Sequence, residues 1–327
     1  MQKLFQFTSL FAVAVVAMLG NEAQAQWPQY TQVGEKNYIE VGLRAYSRPG
    51  DDLDFPVLQN ATTFETLLSA EDATSAGSAA GVEMSYHFEA RHGQQLEFRT
   101  LIGTWDTDRF IDGGNLQSQL LPGQLIDSVE YDYDARIYSV ELNAKRPVFQ
   151  GATLFGGPRF VHFNDTVSTS AFQDASATDA TVIADTQTDR SAEAINNLIG
   201  LQAGLRYEKR ANQYIRGAGF IRAGGYFNPT RVRIDTVQTV TTPLAPQIFP
   251  IAAETSKATG SLLVEAGGKF YWDFTPNCAL FAGYEATWID GIALGPPTLL
   301  TTATTGEVET GNTLFLHAVT AGLRFDW

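Results

Sequence analysis

Ten segments of the chain alternate between apolar and polar residues, and this alternation limits the fold more than any other feature. In the segment 80–91 the apolar side chains are Val82, Met84, Tyr86 and Phe88, and the residues between them are small or polar. Residues two apart lie on the same face of a β-strand. The pattern therefore predicts strands with one apolar face and one polar face.

The ten predicted strands are spread along the sequence from residue 37 to the C-terminus. They are 37–46, 80–91, 95–105, 129–144, 154–163, 197–207, 214–227, 261–273, 278–288 and 313–327. The fourth changes phase near Ile137 and Tyr138, so either it contains a β-bulge or its Asp-rich first half projects beyond the rest. The fifth is the weakest, because Gly156, Gly157 and Pro158 interrupt it.

Short and long connections alternate along the chain. The short turns are 92–93, 146–151, 209–212 and 275–277, and the long loops are about 47–79, 106–128, 164–196, 228–258 and 289–312. A transmembrane antiparallel up-and-down β-barrel has this organisation, with short periplasmic turns, long extracellular loops and both termini on the periplasmic side. We expect about ten strands, with eight and twelve as alternatives.

The apolar faces could meet either lipid or a protein core, so a secreted β-sandwich or jelly roll is the alternative fold. Aromatic residues lie near the predicted strand ends, as in the interfacial girdles of membrane barrels. These residues are Tyr46, Trp105, Tyr207, Phe227, Trp272, Trp288 and Trp327. Their placement favours the barrel.

The N-terminus has the features of a secretory signal peptide. Lys3 precedes a short apolar run at 10–19, and Ala23-Gln24-Ala25 is a small-residue cleavage site. We therefore expect a signal peptide over 1–25, a periplasmic segment over 26–36 and the barrel over 37–327. The single Cys278 allows no intrachain disulfide, and the net charge of −14 argues against nucleic acid as a partner.

The C-terminal strand carries a second targeting feature. Thr320, Gly322, Phe325 and the final Trp327 resemble the β-signal by which outer-membrane barrels of Gram-negative bacteria are recognised during assembly. The resemblance implies a location in the cell outer membrane, where lipid surrounds the barrel. It also implies two partners: periplasmic chaperones, and the barrel assembly machinery, which would bind the C-terminal strand.

Three short motifs point to a family. The stretch 204–206, the stretch 280–284 leading into Trp288, and the stretch 316–327 resemble the Legionella major outer-membrane protein type and related planctomycete outer-membrane barrels. The resemblance lies in the second half of the chain and covers strand positions. It implies a pore-forming or otherwise poorly characterised barrel without enzymatic activity and without a cofactor.

The polar faces carry the candidate functional residues. The predicted pore-lining residues are Glu40, Arg44, Glu83, Glu97, Arg99, Glu141, Arg159, Arg206, Arg216, Arg222, Glu265, Lys269, Glu285 and Arg324. Several bases follow a glycine by two residues, as in Gly42 with Arg44 and Gly322 with Arg324, so room is expected for the base to lie across the lumen. Because both signs of charge share this face, structural ion pairing is the stronger interpretation and a selective pore lining is the alternative.

Two functions remain open at this level. The first is a small pore for passive diffusion of ions or small solutes, and the second is a non-conducting surface or structural protein whose barrel displays loops for adhesion or partner binding. A hydrolase site at Glu83, Ser85, His87 and Glu89 is disfavoured because this face points into the lumen. The acidic loops, such as Asp51, Asp52 and Asp54, match no defined calcium loop, so we expect no metal site. A homo-oligomer is compatible with the sequence.

Overall fold

The structure, a computed structural model, describes residues 37–48, 56–69, 78–90, 95–118, 125–174, 184–241, 245–298 and 310–327. The predicted signal peptide, the segment 26–36, the turn 92–93 and the acidic stretch 51–54 lie outside the described residues. The strands are β1 Tyr38–Ser47, β2 Pro56–Asn60, β3 Thr66–Ser69, β4 Ser78–Glu89, β5 Gln95–Ser118, β6 Leu125–Phe149, β7 Ala152–Gln173, β8 Asp185–Arg210, β9 Ile215–Thr241, β10 Pro246–Thr275, β11 Cys278–Ile292 and β12 Asn312–Asp326. Helix among the described residues is confined to one turn at 295–298, and none of it is long and apolar enough to cross a membrane.

Ten of these strands form a closed antiparallel ring. Neighbours in sequence pair from β4 to β12, and β1 closes the ring by pairing with both β4 and β12. At the seam Tyr38 lies opposite Asp326, and the Trp327 amide donates a hydrogen bond to the Asn37 carbonyl at 3.0 Å. The predicted up-and-down barrel of ten strands, with both ends of the barrel domain at one rim, is confirmed. β2 and β3 form a small hairpin beside the far end of β5.

An apolar belt surrounds the barrel on its outer surface. Large apolar side chains point outward on every ring strand, for example Leu43, Leu201 and Ile221, whose exposed fractions are 71%, 68% and 56%. The inward residues at the same height are charged or polar and buried. An apolar exterior around a polar interior is stable in lipid and unstable in water. The ring is therefore a transmembrane barrel.

The strands on one side of the ring are much longer than the membrane requires. β5 to β10 continue as paired strands through much of the ranges predicted as loops, 106–128, 164–196 and 228–258. The sequence-based boundaries differ because they followed only the pattern of an apolar outer face. Beyond the belt most outward residues are polar and most large inward residues are apolar, so the alternation continues with its two faces exchanged.

β6 shows this exchange of faces most clearly. Its pairing with β7 is continuous from Ser128 to Glu141, without a bulge at Ile137. Odd-numbered residues point inward throughout, so Tyr131 and Tyr133 are buried while Glu141 is buried further down the same face. The phase change at Ile137 therefore marks the extracellular edge of the belt, and the Asp-rich half projects beyond it.

β7 is a continuous strand despite its glycines and proline. Pro158 lies opposite Leu201 of β8, and the ladder to β6 is interrupted between the pairs Arg159–Glu141 and Gly156–Ala144. The missing N–H of proline therefore falls where β6 makes no regular pairing. This explains how the weakest predicted strand is accommodated.

Two members of the predicted aromatic girdle are placed differently. Tyr46 and Trp105 point inward and are buried, with ring centroids 5.2 Å apart. Their parity along β1 and β5 puts them on the luminal face, where proximity to a strand end does not bring them to the lipid. Phe227, Trp272 and Trp327 are exposed on the outer surface, as the girdle requires.

Candidate functional site: the barrel interior

The interior contains a layer of buried ion pairs, hereafter the charged layer. All the predicted pore-lining residues point inward, and all but Arg206 and Lys269 are buried. Arg44 contacts Glu83 and Glu285 at 2.9 Å each, and Arg99 contacts Glu285 at 2.8 Å and Glu83 at 3.1 Å. These four side chains come from β1, β4, β5 and β11, so the ion pairs cross the lumen. Opposite charges buried together offset the cost of removing each from water.

A second group of the charged layer is centred on Glu265 of β10. Its carboxylate accepts hydrogen bonds from Arg159 and Arg222, including one from Arg159 Nη2 at 3.1 Å, and from Thr287 at 3.3 Å. Arg222 also contacts Glu141 Oε2 at 2.7 Å. Each carboxylate is therefore shared between bases from different strands.

The periplasmic rim of the interior is also paired. Lys269 contacts Glu40 at 2.9 Å and Glu83 at 2.7 Å, while the Arg324 guanidinium lies 3.6 Å from the centroid of the Tyr38 ring. Arg206, Arg216 and Lys145 complete the rim through Glu208, Asp273 and Glu97. Structural ion pairing, the stronger interpretation of the sequence, is the arrangement observed. A role of these residues in conduction stays a prediction.

One aromatic ring occupies the space beside the two seam glycines, Gly42 and Gly322. A Cβ atom on Gly322 would lie 2.7 Å from the Phe281 ring and 2.1 Å from the Val41 carbonyl, and one on Gly42 would lie 2.9 Å from the same ring. The ring of Phe281 thus covers the directly opposed pair Gly42–Gly322. The sequence predicted room for a base at these positions, but here the room is taken by the ring, with Lys269 Nζ 4.5 Å from its centroid.

An apolar layer lies on the extracellular side of the charged layer. On each strand the next inward-pointing residue toward the extracellular side is apolar instead of charged. Arg159 is thus followed by Val161, Glu265 by Leu263, and Arg99 by Leu101. The layer consists mainly of Tyr46, Leu101, Trp105, Ile137, Val161, Phe163, Leu198, Leu263, Ile289 and Leu316. These buried side chains contact one another and form a single apolar cluster above the ion pairs.

The segment after β11, residues 293–298, folds into the mouth of the barrel and is hereafter the plug segment. All of its residues are buried. The Asn196 side chain pairs with the Ala293 backbone, accepting from its N–H at 2.9 Å and donating to its carbonyl at 2.8 Å. Asp165 accepts from the Gly295 N–H at 2.9 Å. Side chains of the extended strands thus form hydrogen bonds with backbone groups of the plug segment that a neighbouring strand would otherwise bind.

The chain turns into the plug segment at Gly291, whose φ of +78° favours glycine. Ser261 and Asn228 donate to the Gly291 carbonyl at 2.7 and 3.3 Å. Asn196, Asp165 and Asn228 were missed by the sequence interpretation because they fall at or beyond its strand boundaries. The two-residue alternation could have identified them, since each lies an even number of residues from the inward-pointing residues of its strand.

Replacing Asn196 with alanine is expected to loosen the plug segment. The Ala293 N–H and carbonyl would lose their partners while remaining buried, at a cost of about 1–3 kcal/mol. We expect hydrogen exchange at the Ala293 amide to become faster, by roughly the factor that this free energy implies. Asn197→Ala is the matched control, because that side chain bonds His162 on the outer surface. Equal exchange in both variants would contradict the proposed attachment.

His87, the histidine of the disfavoured hydrolase site, lies on the opposite face of the barrel wall from the other described histidines. His87 is buried and stacks on Tyr38 with centroids 4.7 Å apart, while His162 and His317 lie on the outer surface beside Asn197 and Tyr284. Ser85 and His87 point into the lumen, as expected. Within the described part of the chain, no group of three His, Cys, Asp or Glu side chains could hold a metal ion.

The outer face beyond the belt carries opposed acidic residues on β5 and β6. Asp106 lies opposite Asp134, and Asp108 lies opposite Asp132. Partial burial and the neighbouring carboxylates, Asp108 first among them, raise the pKa of Asp132. Arg136 offsets part of this charge through an ion pair with Asp134 at 3.1 Å.

Comparisons with known proteins add the following findings. No family model matches the chain, and no curated protein matches it. Among solved structures, the chain is similar to the outer-membrane protease OmpT of Escherichia coli (9% identity, 90% of this chain and 98% of that chain, TM-score 0.41). It is also similar to the translocator domain of the autotransporter NalP of Neisseria meningitidis (10%, 89% and 89%, 0.38) and to a Pseudomonas aeruginosa FadL homologue (9%, 89% and 90%, 0.30). At these identities and scores the likenesses carry no argument about function, and the resemblance to a particular family stays a prediction.

Proposed function

We propose that this protein is a non-conducting outer-membrane barrel that displays an extracellular β-sheet and its loops for adhesion, envelope structure or partner binding. The observation that carries the proposal is the filled lumen. Paired charges cross it in the periplasmic half, the apolar layer fills it above, and the plug segment occupies its mouth. An ion would have to separate these groups in order to pass.

The size of the ring supports the same function. About eight strands leave room only for side chains, and open aqueous channels are found at 16 or more. Ten strands with long arginine, glutamate and aromatic side chains pointing inward lie close to the filled limit. The extracellular extension of β5 to β10, by contrast, has no role in crossing the membrane.

The tip of the extension offers apolar surface beyond the belt. On β10, Ile248, Phe249 and Ile251 are exposed, although they lie far above the lipid-facing residues of the same strand. Among the described residues, β11 accompanies β10 only from Leu262 toward the periplasm, so this part of β10 is paired on one side, with β9. Exposed apolar surface and an open strand edge are features that a partner can cover.

The location and assembly belong to the same proposal. The closed barrel with an apolar belt is the architecture used in outer membranes, and the C-terminal strand would be the surface read by the assembly machinery and by periplasmic chaperones. In that strand, Phe325 and Trp327 are exposed to the lipid side, and the Trp327 ring stacks on Tyr86 with centroids 5.9 Å apart. Thr320 and Gly322 face the interior.

Planar-bilayer recordings of the refolded protein test the proposal. We expect no discrete conductance steps at any voltage, because the apolar layer interrupts the path that water and ions would take through the lumen. Insertion is verified in the same preparation by a change in gel mobility on boiling, and a known porin refolded identically is the positive control. Reproducible unit steps from inserted protein would favour the alternative, a small pore for ions or small solutes.

A further inference from the structure

A small cavity remains within the periplasmic half of the charged interior. Its volume is about 50 Å³, and its wall includes Tyr38, Tyr271, Ser85 and Ala218. A water needs roughly 10–15 Å³ of such space, so the cavity could hold one small ion with a few waters. The apolar layer lies on its extracellular side. Two side chains in its wall, Lys269 and Arg206, are partly exposed at the periplasmic rim, by 14% and 16%.

More basic than acidic side chains line this cavity. Five basic side chains line it, and only two carboxylates, Glu40 and Glu97, share the wall. The bases are Arg99, Lys145, Arg206, Arg222 and Lys269. The other carboxylates that neutralise these bases stand outside the lining: Glu141 and Glu265 pair with Arg222, and Glu83 and Glu285 with Arg99. The interior is therefore close to neutral, yet the cavity faces an excess of positive charge.

Donor groups at the wall also lack partners. Arg222 is 3% exposed, and its Nη2 has no hydrogen-bond partner among the described residues. Its other two nitrogens bond Glu141 and Glu265. The Nε of Arg206 is also buried and has no hydrogen-bond partner among the described residues. Because guanidinium and ammonium groups only donate, the missing partner must be an acceptor.

We propose that this cavity binds a single small inorganic anion of the halide class. A buried, unpartnered guanidinium nitrogen is costly, and an anion satisfies it while neutralising the local excess of positive charge. The cavity volume of about 50 Å³ accommodates a monatomic anion together with a few waters. The anion enters from the periplasmic end and stabilises the charged layer. The site does not depend on the proposed function, since an anion could bind here whether or not the barrel conducts ions.

The experiment uses the mature full-length protein refolded in detergent, with bromide as the probe. Sodium bromide replaces sodium gluconate at constant ionic strength, and the thermal unfolding midpoint is followed by gel mobility and tryptophan fluorescence. We expect the midpoint to rise with bromide concentration once the dissociation constant is exceeded, as for any ligand that binds only the folded state. Crystals grown in bromide are expected to show an anomalous peak beside Arg222 Nη2.

Two variants of β9 separate the site from general salt effects. Ala218→Val adds two methyl groups to the cavity wall without removing a charge, and is expected to abolish the bromide dependence. Ala223→Val places the same groups on the lipid face and is expected to behave as wild type. The proposal is overturned if the wild-type midpoint does not respond to bromide, or if Ala218→Val responds equally. Should Ala218→Val not fold, the anomalous peak in the wild-type crystal decides by its presence or absence.

Discussion

Replacing Glu265 with alanine is expected to lower the free energy of unfolding by about 3–5 kcal/mol, the range for breaking a buried charge cluster by removing one partner. Glu265 is 2% exposed and accepts hydrogen bonds from Arg159 and Arg222. Without it, Arg159 keeps only the neutral partners Ser139 and Gln202. Arg222 keeps Glu141, which also pairs with Arg99. The measurement is the urea midpoint for unfolding from lipid vesicles, followed by tryptophan fluorescence.

Glu254→Ala is the matched control for this prediction. Glu254 lies on the same strand and also pairs with an arginine, Arg231, at 2.6 Å, but both side chains are about half exposed. Exposed ion pairs contribute little, so we expect no measurable change. If the two variants lost similar amounts of unfolding free energy, the ion pairs of the charged layer would contribute no more to stability than a surface pair. The main support for a sealed lumen would then be removed.

Replacing Ile221 with arginine is expected to cost about 2–4 kcal/mol, the range for a basic side chain at the midplane of a membrane barrel. Ile221 is 56% exposed and lies near the centre of the outward apolar stretch of β9 between Ile215 and Phe227. In water, an arginine at such an exposed position would cost almost nothing. The unfolding free energy in vesicles therefore tests the lipid exposure of this face directly.

Ile248→Arg provides the comparison for Ile221→Arg. Ile248 is 62% exposed, but it lies on the extension of β10 beyond the belt. We expect its replacement to leave the unfolding midpoint unchanged, because residue 248 is surrounded by water whether it is isoleucine or arginine. If both substitutions were neutral, the secreted β-sandwich would become the better description of the outer surface. If both were equally costly, the assigned height of the belt would be wrong.

The sequence predicted the part of the fold in which outward residues are apolar. Period-two alternation is a local property, and from it the ring strands, the inward phase of Glu83, Arg159 and Glu265, and the outward phase of Leu323 follow without knowledge of neighbours. The alternation failed as a boundary signal above the belt. There the two faces of β6 exchange character at Ile137, since water replaces lipid outside and packed side chains replace ion pairs inside.

Spacing along one chain was therefore sufficient to predict a ring of about ten strands and the inward phase of the charged residues within the belt. Tertiary structure alone decided what the inward residues do. Arg44 contacts Glu285, and Asn196 contacts Ala293, across separations of 241 and 97 residues. Whether a ring of ten strands is open or filled depends on such contacts between distant strands. Their side chains meet only when the barrel closes, so no local pattern records them.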